Sequence, residues 1–408
     1  MAKKLFILLI VLLLVGTFIL SGCASKRSAY AEQENDPRLA DQNQYAEFLE
    51  TEEMYYWRGD GCGLLMYYDK ASSESGVLCN RPECSHGKSS DPTECGGCIL
   101  SVGTALSMID GRLYWVGEYQ EGDVYYTSIL SMAPDSTDRR LERKLMLPDT
   151  VVPHKYFFHH GELYIYSRLS KVDLGTPSYV EALYVTGIDD PEIKTVFERQ
   201  IPPLAGSMME FKFLGDKIWF FLYGKDENGN TFSNEFFRYN ITEGTCETLF
   251  SMDGGLSITG FWIDGEDVLL GTVDRETYES YFYRVHEGMP EKIAGFEDDE
   301  NFFVFPRVSD GIVYATSSGE DPSDISIWIM DHSGNTLYKG ALPMGFLGED
   351  KPEAIGFSSD WGDKESVFFD HEVYYPDGTV RHFLVKYELA DGSLKEVLLM
   401  NELSEEIG

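Results

Sequence analysis

One phrase recurs along most of the chain, a Gly/Asp turn followed by a strand in which apolar and aromatic residues alternate. It reads IDGRLYW at 109–115, HHGELYIY at 159–166, LGDKIWFF at 214–221, IDGEDVLLG at 263–271, VSDGIVYA at 308–315 and WGDKESVFF at 361–369. Aligned on Tyr114, Tyr164, Trp219, Leu269, Tyr314 and Phe368, the copies are 50, 55, 50, 45 and 54 residues apart. ETEEMYYW at 50–57 is a degenerate earlier copy. A period of this length indicates a fold assembled from copies of one supersecondary unit.

Each copy of the phrase belongs to a unit of about four strands. An apolar segment such as MEFKFLG precedes the phrase, and a pair of strands joined by a polar turn, such as EFFRYNITEGTCETLFS, follows it. The turns carry the Gly, Asn and Asp that hairpins need for positive φ. The units therefore predict an all-β fold, a β-propeller of seven blades with four antiparallel strands each, in which radial repetition protects the sheet edges. Six or eight blades, or a pair of β-sandwiches, are the alternatives.

The first residues have a different composition from the repeats. Lys3 and Lys4 precede the apolar run LFILLIVLLLVGTFIL, and its last residue, Leu20, begins the segment LSGC. A short basic region before an apolar stretch is typical of a secretory signal. Leu20 to Cys23 resemble the lipobox of bacterial lipoproteins, and that resemblance implies that a diacylglycerol is attached to Cys23 and that the chain is cut before it. An ordinary signal peptide or an anchor helix is the alternative.

We therefore predict three segments: a lipoprotein signal peptide over 1–22, a lipidated Cys23 with a flexible polar tether over 23–45, and one propeller domain over 46–408. The protein is expected outside the cytoplasm, attached to the bacterial cell membrane through its lipid. The net charge of −36 disfavours nucleic acid as a partner, because the phosphate backbone would be repelled.

Cysteines are crowded into one stretch, VLCNRPECSHGKSSDPTECGGC at 77–98, although the chain has only seven. This stretch connects the last strand of the first unit to the next unit. In a propeller, that connection lies on the same face as the loop between the second and third strands, GDGCG, which contains Cys62. Five thiols, those of Cys62, Cys79, Cys84, Cys95 and Cys98, are thus expected on one face near His86. Cys246, in another unit, is expected to be a partly buried free thiol.

Two chemistries fit this stretch. Cys79, Cys84, His86 and Cys95 could supply the four soft or borderline ligands of a tetrahedral structural zinc site, with Cys62 and Cys98 joined in a disulfide. Alternatively, the thiols form disulfides only, which the expected location outside the cytoplasm favours. Five thiols leave one unpaired in that case.

The segment LMYYDK…VLCNRPECSH…C resembles a motif of uncharacterised bacterial propeller lipoproteins, an aromatic-Asp-Lys strand followed by Leu-Cys-x4-Cys-x-His and a further Cys. By that resemblance Cys79, Cys84, His86 and Cys95 match the motif, whereas Cys62 and Cys98 are additional. The resemblance implies no activity.

No catalytic residue is predicted, since neither a Gly-x-Ser-x-Gly elbow nor a phosphate-binding loop occurs in the sequence. The leading hypothesis is a binding or scaffold module for a glycan, peptide or protein ligand. The alternatives are a structural envelope protein and a carbohydrate-active hydrolase or lyase with carboxylates in the propeller funnel.

Overall fold

The structure is a computed structural model that describes residues 48–58, 63–84, 86, 95–99, 106–148, 151–173, 176–201, 210–225, 231–297, 303–319 and 321–406. The predicted signal peptide, the tether with Cys23, and Cys62 lie outside the described residues. Within the described ranges, no helix is long and apolar enough to cross a membrane.

The described strands form seven antiparallel sheets of four strands, and each sheet uses four strands consecutive in sequence. The first four blades comprise β1 (Phe48–Glu50), β2 (Met54–Arg58), β3 (Leu65–Asp69), β4 (Ser75–Val77); β5 (Ser107–Ile109), β6 (Arg112–Glu121), β7 (Val124–Met132), β8 (Arg140–Lys144); β9 (Pro153–His159), β10 (Glu162–Asp173), β11 (Thr176–Gly187), β12 (Lys194–Ile201); and β13 (Phe211–Leu214), β14 (Lys217–Lys225), β15 (Thr231–Asn240), β16 (Thr245–Asp253). The last three comprise β17 (Leu256–Asp264), β18 (Asp267–Asp274), β19 (Ser280–His286), β20 (Met289–Gly295); β21 (Val304–Val308), β22 (Ile312–Ser318), β23 (Ile325–Asp331), β24 (Thr336–Ala341); and β25 (Ala354–Asp363), β26 (Ser366–Tyr374), β27 (Thr379–Ala390), β28 (Ser393–Glu406). A 3-10 helix, Gly345–Leu347, lies between the last two blades.

The prediction of a seven-bladed propeller is confirmed. Every recurring phrase forms the second strand of a blade and the turn before it, and the degenerate copy at 50–57 includes most of β2. The Gly of that turn adopts positive φ in several blades, for example +73° at both Gly111 and Gly161. Such an angle costs a glycine little, because it has no Cβ. The alternation within the phrase also follows from the fold, since successive side chains point to opposite faces of a sheet.

Buried side chains form seven hydrophobic clusters, one at each contact between neighbouring blades. Strand β2 illustrates how one strand serves two of them. Tyr55 and Trp57 pack toward the seventh blade, whereas Tyr56, between them, packs toward the second. Both faces of a blade are therefore apolar, and the ring is held by face-to-face packing of all its sheets.

No sheet mixes strands from the two ends of the described chain, so among the described residues the first and seventh blades are joined by side-chain packing. We call the contact between the first and seventh blades the closing seam. Phe48 lies 4.4 Å from Trp361 between ring centroids, and Trp361 stacks on Phe368 at 5.4 Å. The indole Nε1 of Trp57 donates to Sδ of Met400 at 3.2 Å. These buried aromatic side chains are large, and burying each stabilises the closed ring by about 1.5–3 kcal/mol.

Candidate metal centre

The cysteine-rich connection returns to pair with the start of β3. Leu64 and Cys98 form an isolated antiparallel bridge, and the Leu65 N–H donates to the Gly97 carbonyl at 2.7 Å. The segment that precedes β3 and the connection between the first two blades therefore lie side by side.

Four side chains of this connection converge on one point. The ligand atoms of Cys79, Cys84, His86 and Cys95 all lie within 4.8 Å of one another. The Cys95 Sγ is 3.7 Å from Nδ1 of His86. With Zn–S near 2.3 Å and Zn–N near 2.0–2.1 Å, a tetrahedral site would separate S and N by about 3.6 Å. The Cys95–His86 pair therefore already has the spacing of two ligands on one tetrahedral zinc ion, and Cys79, Cys84 and Cys95 form no disulfide.

The backbone around the cluster stabilises a thiolate. Burial alone would raise the pKa of Cys79, but N–H groups of Arg81, Gly96 and Gly97 donate to its sulfur and lower that pKa. Such N–H···S hydrogen bonds orient a ligand and delocalise its charge in the way that outer contacts of metal sites do. The sulfur of Cys79 thus accepts hydrogen bonds from both sides of the loop.

Cys95 has the opposite environment. The residue is buried, and burial together with the adjacent Cys84 thiol raises the pKa of Cys95 to about 12. Without a cation the cluster would hold this thiol protonated. A divalent metal supplies the positive charge that would allow several thiolates to coexist, and its binding would release protons.

One of the two glycines between Cys95 and Cys98, Gly97, allows the connection to pack closely against the first blade. A Cβ on Gly97 would lie 2.6 Å from Cγ1 of Val77 and 3.0 Å from the Leu78 carbonyl oxygen. The backbone at Gly97 can therefore approach the end of the first blade only without a side chain. The spacing of the cysteines does not predict this role of the loop backbone, although the Gly-Gly pair within CGGC is a signal for it.

The connection also contacts both neighbouring blades. Cys95 and Cys98 belong to the hydrophobic cluster of the closing seam, which includes Leu384 and Met400 of the seventh blade. On the other side, Nη1 of Arg139 in the second blade donates to the Cys98 carbonyl at 2.7 Å. An ordered connection would therefore stabilise the first blade against both of its partners.

One wall of a surface cleft is formed by the same connection. The cleft has a volume of about 450 Å³ and lies between residues 80–83 of the connection and residues 136–139 of the second blade. Residues 80–83 stand in sequence between Cys79 and Cys84, two of the four candidate ligands. A metal that held these two cysteines in place would also hold this wall of the cleft. The volume of the cleft lies within the range that is usual for ligand sites.

The remaining cysteine predictions have mixed outcomes. The predicted disulfide of Cys62 with Cys98 involves a residue outside the described part of the chain, so it stays a prediction. Cys246 lies in the fourth strand of its blade, as expected, but it is exposed rather than partly buried. That strand is at the outer edge of its sheet, where no further strand covers it.

No protein-family model matches the chain, and no curated protein sequence matches it either. Among solved structures, a prolyl endopeptidase is similar over 95% of this chain and 55% of its own, with a TM-score of 0.54 and 12% identity. The acylaminoacyl peptidase of Pyrococcus horikoshii is similar over 89% of this chain and 53% of its own, with a TM-score of 0.47 and 12% identity. The β-propeller domain of the Trilobed protease from Pyrococcus furiosus is similar over 89% of this chain and 98% of its own, with a TM-score of 0.44 and 14% identity.

The chain spans about half the length of the first two of these proteins. At such low identity the likeness concerns the fold alone, since one fold supports many unrelated activities. The chain is therefore similar to these proteins in its β-propeller architecture.

Proposed function

We propose that this chain is a lipid-anchored extracytoplasmic binding module, a seven-bladed propeller in which Cys79, Cys84, His86 and Cys95 hold one structural Zn²⁺. The observation that carries the proposal is the convergence of these four ligand atoms within 4.8 Å. Three thiols and one imidazole complete a tetrahedral shell and leave no position for a substrate, which is the property of a structural zinc site.

The zinc would serve the binding role by fixing a surface. The connection has few apolar side chains of its own to bury, so a metal is an effective way to order it. Once ordered, it supplies one wall of the 450 Å³ cleft. Loops fixed on a rigid scaffold are the usual place for ligand recognition, and a ring of seven packed blades is such a scaffold.

Metal content and thiol reactivity of the full chain test this proposal. The protein would be extracted from membranes in detergent without chelator, and zinc would be measured on the sample used for thiol counting. We expect about one zinc per chain, and we expect the cluster thiols to react only after the metal is stripped.

Two substitutions provide the comparison. Cys84→Ser removes one ligand and should lower the zinc content, whereas Cys246→Ser removes a thiol on an exposed outer strand and should leave it unchanged. The zinc centre would be refuted if the native protein were isolated without metal and peptide mapping found a disulfide between any two of Cys79, Cys84 and Cys95.

A further inference from the structure

Phe305 is a strained and exposed aromatic residue on the first strand of the sixth blade. Its side chain is 63% exposed, and its backbone has φ of +52°. A bulky L-residue in the left-handed region is a steric outlier, and such outliers persist where the surrounding structure imposes them, often at ligand sites.

The fifth blade imposes this conformation. The register of β21 shifts between Val304 and Arg307, and the Thr259 hydroxyl donates to the Pro306 carbonyl inside that bulge. Gly271 makes room for it, because a Cβ there would lie 2.2 Å from the Pro306 carbonyl oxygen. The position of Phe305 is thus fixed by contacts with two other strands.

Arg307, two residues further on, is held from two directions. Its Nη1 donates to the Thr259 carbonyl at 2.7 Å, and its Nε is 3.3 Å from Oδ1 of Asp360 in the seventh blade. Asp360 in turn accepts from the buried Tyr314 hydroxyl at 3.0 Å. A guanidinium has five N–H donors, and the side chain is 46% exposed, so donors remain for a ligand.

Two lysines and a glutamate from other blades extend this group. Glu210 precedes β13 and pairs with Lys212 at 3.2 Å. Burial lowers the pKa of Lys155 on β9, and the Glu210 carboxylate opposes that effect. Burial lowers the pKa of Arg307, but nearby negative charges raise it above its usual value. Asp360 makes the largest of these contributions, and the Glu210 carboxylate makes a smaller one.

The sheet topology places this group around the central axis. Lys155, Lys212, Arg307 and Asp360 lie on β9, β13, β21 and β25, and Glu210 directly precedes β13. Each of these is the first strand of its blade, and the first strands of a propeller surround its axis. We call Lys155, Glu210, Lys212, Arg307 and Asp360 the axial cluster. It contains three basic and two acidic residues, in a chain with 69 acidic against 33 basic residues.

We propose that the axial cluster and Phe305 bind an acidic saccharide, with a sugar carboxylate at Arg307 and a sugar ring on the exposed face of Phe305. The arginine fork matches a carboxylate in two hydrogen bonds. The Lys212 and Glu210 side chains are only 5% and 12% exposed, so the direct contacts fall to Arg307 and to Phe305. The fixed ring of Phe305 offers a sugar apolar surface without an entropic cost of ordering it. The inference rests on the proposed binding function and names its ligand class.

A peptide is a poorer fit to these observations. Extended or helical peptides are recognised by a sheet edge or a long apolar groove. Here the described features are one exposed ring and a group of paired charges, all near the axis.

The test is binding of the full chain in detergent to an array in which each uronate-bearing oligosaccharide has a neutral counterpart of the same linkage, together with free-carboxylate peptides. We expect selective binding of uronate-bearing members. The affinity of the best one would then be measured for two variants, Phe305→Gly and Tyr278→Gly.

The two variants are matched. Tyr278 is also an exposed aromatic residue in the left-handed region, 65% exposed with φ of +62°, but it lies in the turn between β18 and β19. Glycine relieves backbone strain at either position, so neither variant should melt at a lower temperature. We expect Phe305→Gly to weaken binding about tenfold or more and Tyr278→Gly to leave it unchanged.

Four outcomes would overturn the inference. Equal affinity for neutral counterparts would exclude the carboxylate contact, and unchanged affinity of Phe305→Gly would exclude the axial site while leaving a binding module elsewhere. Binding of peptides alone would replace the ligand class. If no member of the array binds while the zinc content is intact, the binding function itself fails and the zinc centre stands.

Discussion

At the residue scale, the candidate metal centre depends on a position that has no ligand atom. Gly97 lies against Val77 and Leu78, and its backbone N–H donates to the sulfur of Cys79. The identity of the four ligands could be predicted from their spacing. The need for a glycine beside them could not, because it arises from a close approach to the end of a strand some twenty residues earlier.

Replacing Gly97 with alanine should therefore damage the centre without removing a ligand. The new methyl group would collide with Cγ1 of Val77, and overpacking of this kind costs about 1–3 kcal/mol. We expect Gly97→Ala to lower both the melting temperature and the zinc content. Gly356→Ala is the control, because a Cβ there meets only atoms at 3.8 Å or more. A Gly97→Ala protein with normal zinc and stability would show that the connection adapts freely.

A buried histidine in the last blade predicts a pH dependence of stability. His371 is fully buried beside the Phe346 and Phe357 rings, and its Nε2 is 3.0 Å from the Tyr387 hydroxyl. Burial lowers the pKa of His371 from 6.5 to about 3. Between these values the unfolded chain binds more protons than the folded one. The stability contributed by neutral His371 is therefore present above pH 6.5 and is lost as the pH falls toward 3.

The variant His371→Phe isolates this contribution. The slope of unfolding free energy against pH, measured by denaturant titration between pH 5 and 6, should be smaller in the variant by about 1.4 kcal/mol per pH unit. His159, whose pKa burial also lowers to about 3, remains in both proteins and cancels in the comparison. Parallel slopes for the two proteins would mean that His371 is protonated in the folded state.

At the scale of strands and blades, the sequence pattern was sufficient for the units but not for their closure. The recurring phrase marks the second strand in each blade because a strand buried on both faces needs the same apolar-aromatic composition every time. The closing seam has no such repeat. Phe48 and Trp361 meet although 313 residues separate them in sequence (361 − 48), and only the assembled ring brings them together.

Truncating Trp361 should open the ring at one place. Trp361→Ala removes the partner of both Phe48 and Phe368 and should cost about 3–5 kcal/mol. Trp219→Ala truncates a comparably buried indole between the fourth and fifth blades, which the chain connects directly. Amide hydrogen exchange should rise in β1, β2 and β25–β28 for the first variant and not for the second. Equal exchange at the seam in both would show that it is no weaker than the other contacts.

At the scale of the whole molecule, the described chain is a ring that carries its proposed ligand sites on a rigid scaffold. The predicted lipid at Cys23 would hold this ring near a membrane, and the acidic surface would keep it from adhering to anionic headgroups. Together, the predicted lipid and the acidic surface predict that the protein is attached to the membrane through its lipid alone.

The variant Cys23→Ser tests the anchor. With the acceptor thiol removed, we expect the protein to lose labelling by a radioactive fatty acid, while its melting temperature and zinc content stay the same. Cys246→Ser is the matched substitution and should retain the label. Labelling of the Cys23→Ser protein would locate the lipid at another residue.

The sequence by itself determined the all-β class, the repeating unit of four strands and the four residues of the candidate metal centre. These follow from local periodicity and from spacing within one connection, and neither depends on distant contacts. Only the tertiary structure decided that there are seven blades and how the ring closes, which backbone groups stabilise the Cys79 thiolate, and that Arg307 and Asp360 of neighbouring first strands pair at the axis. Each of these rests on residues far apart in sequence, whose proximity is set by packing seven blades around one axis.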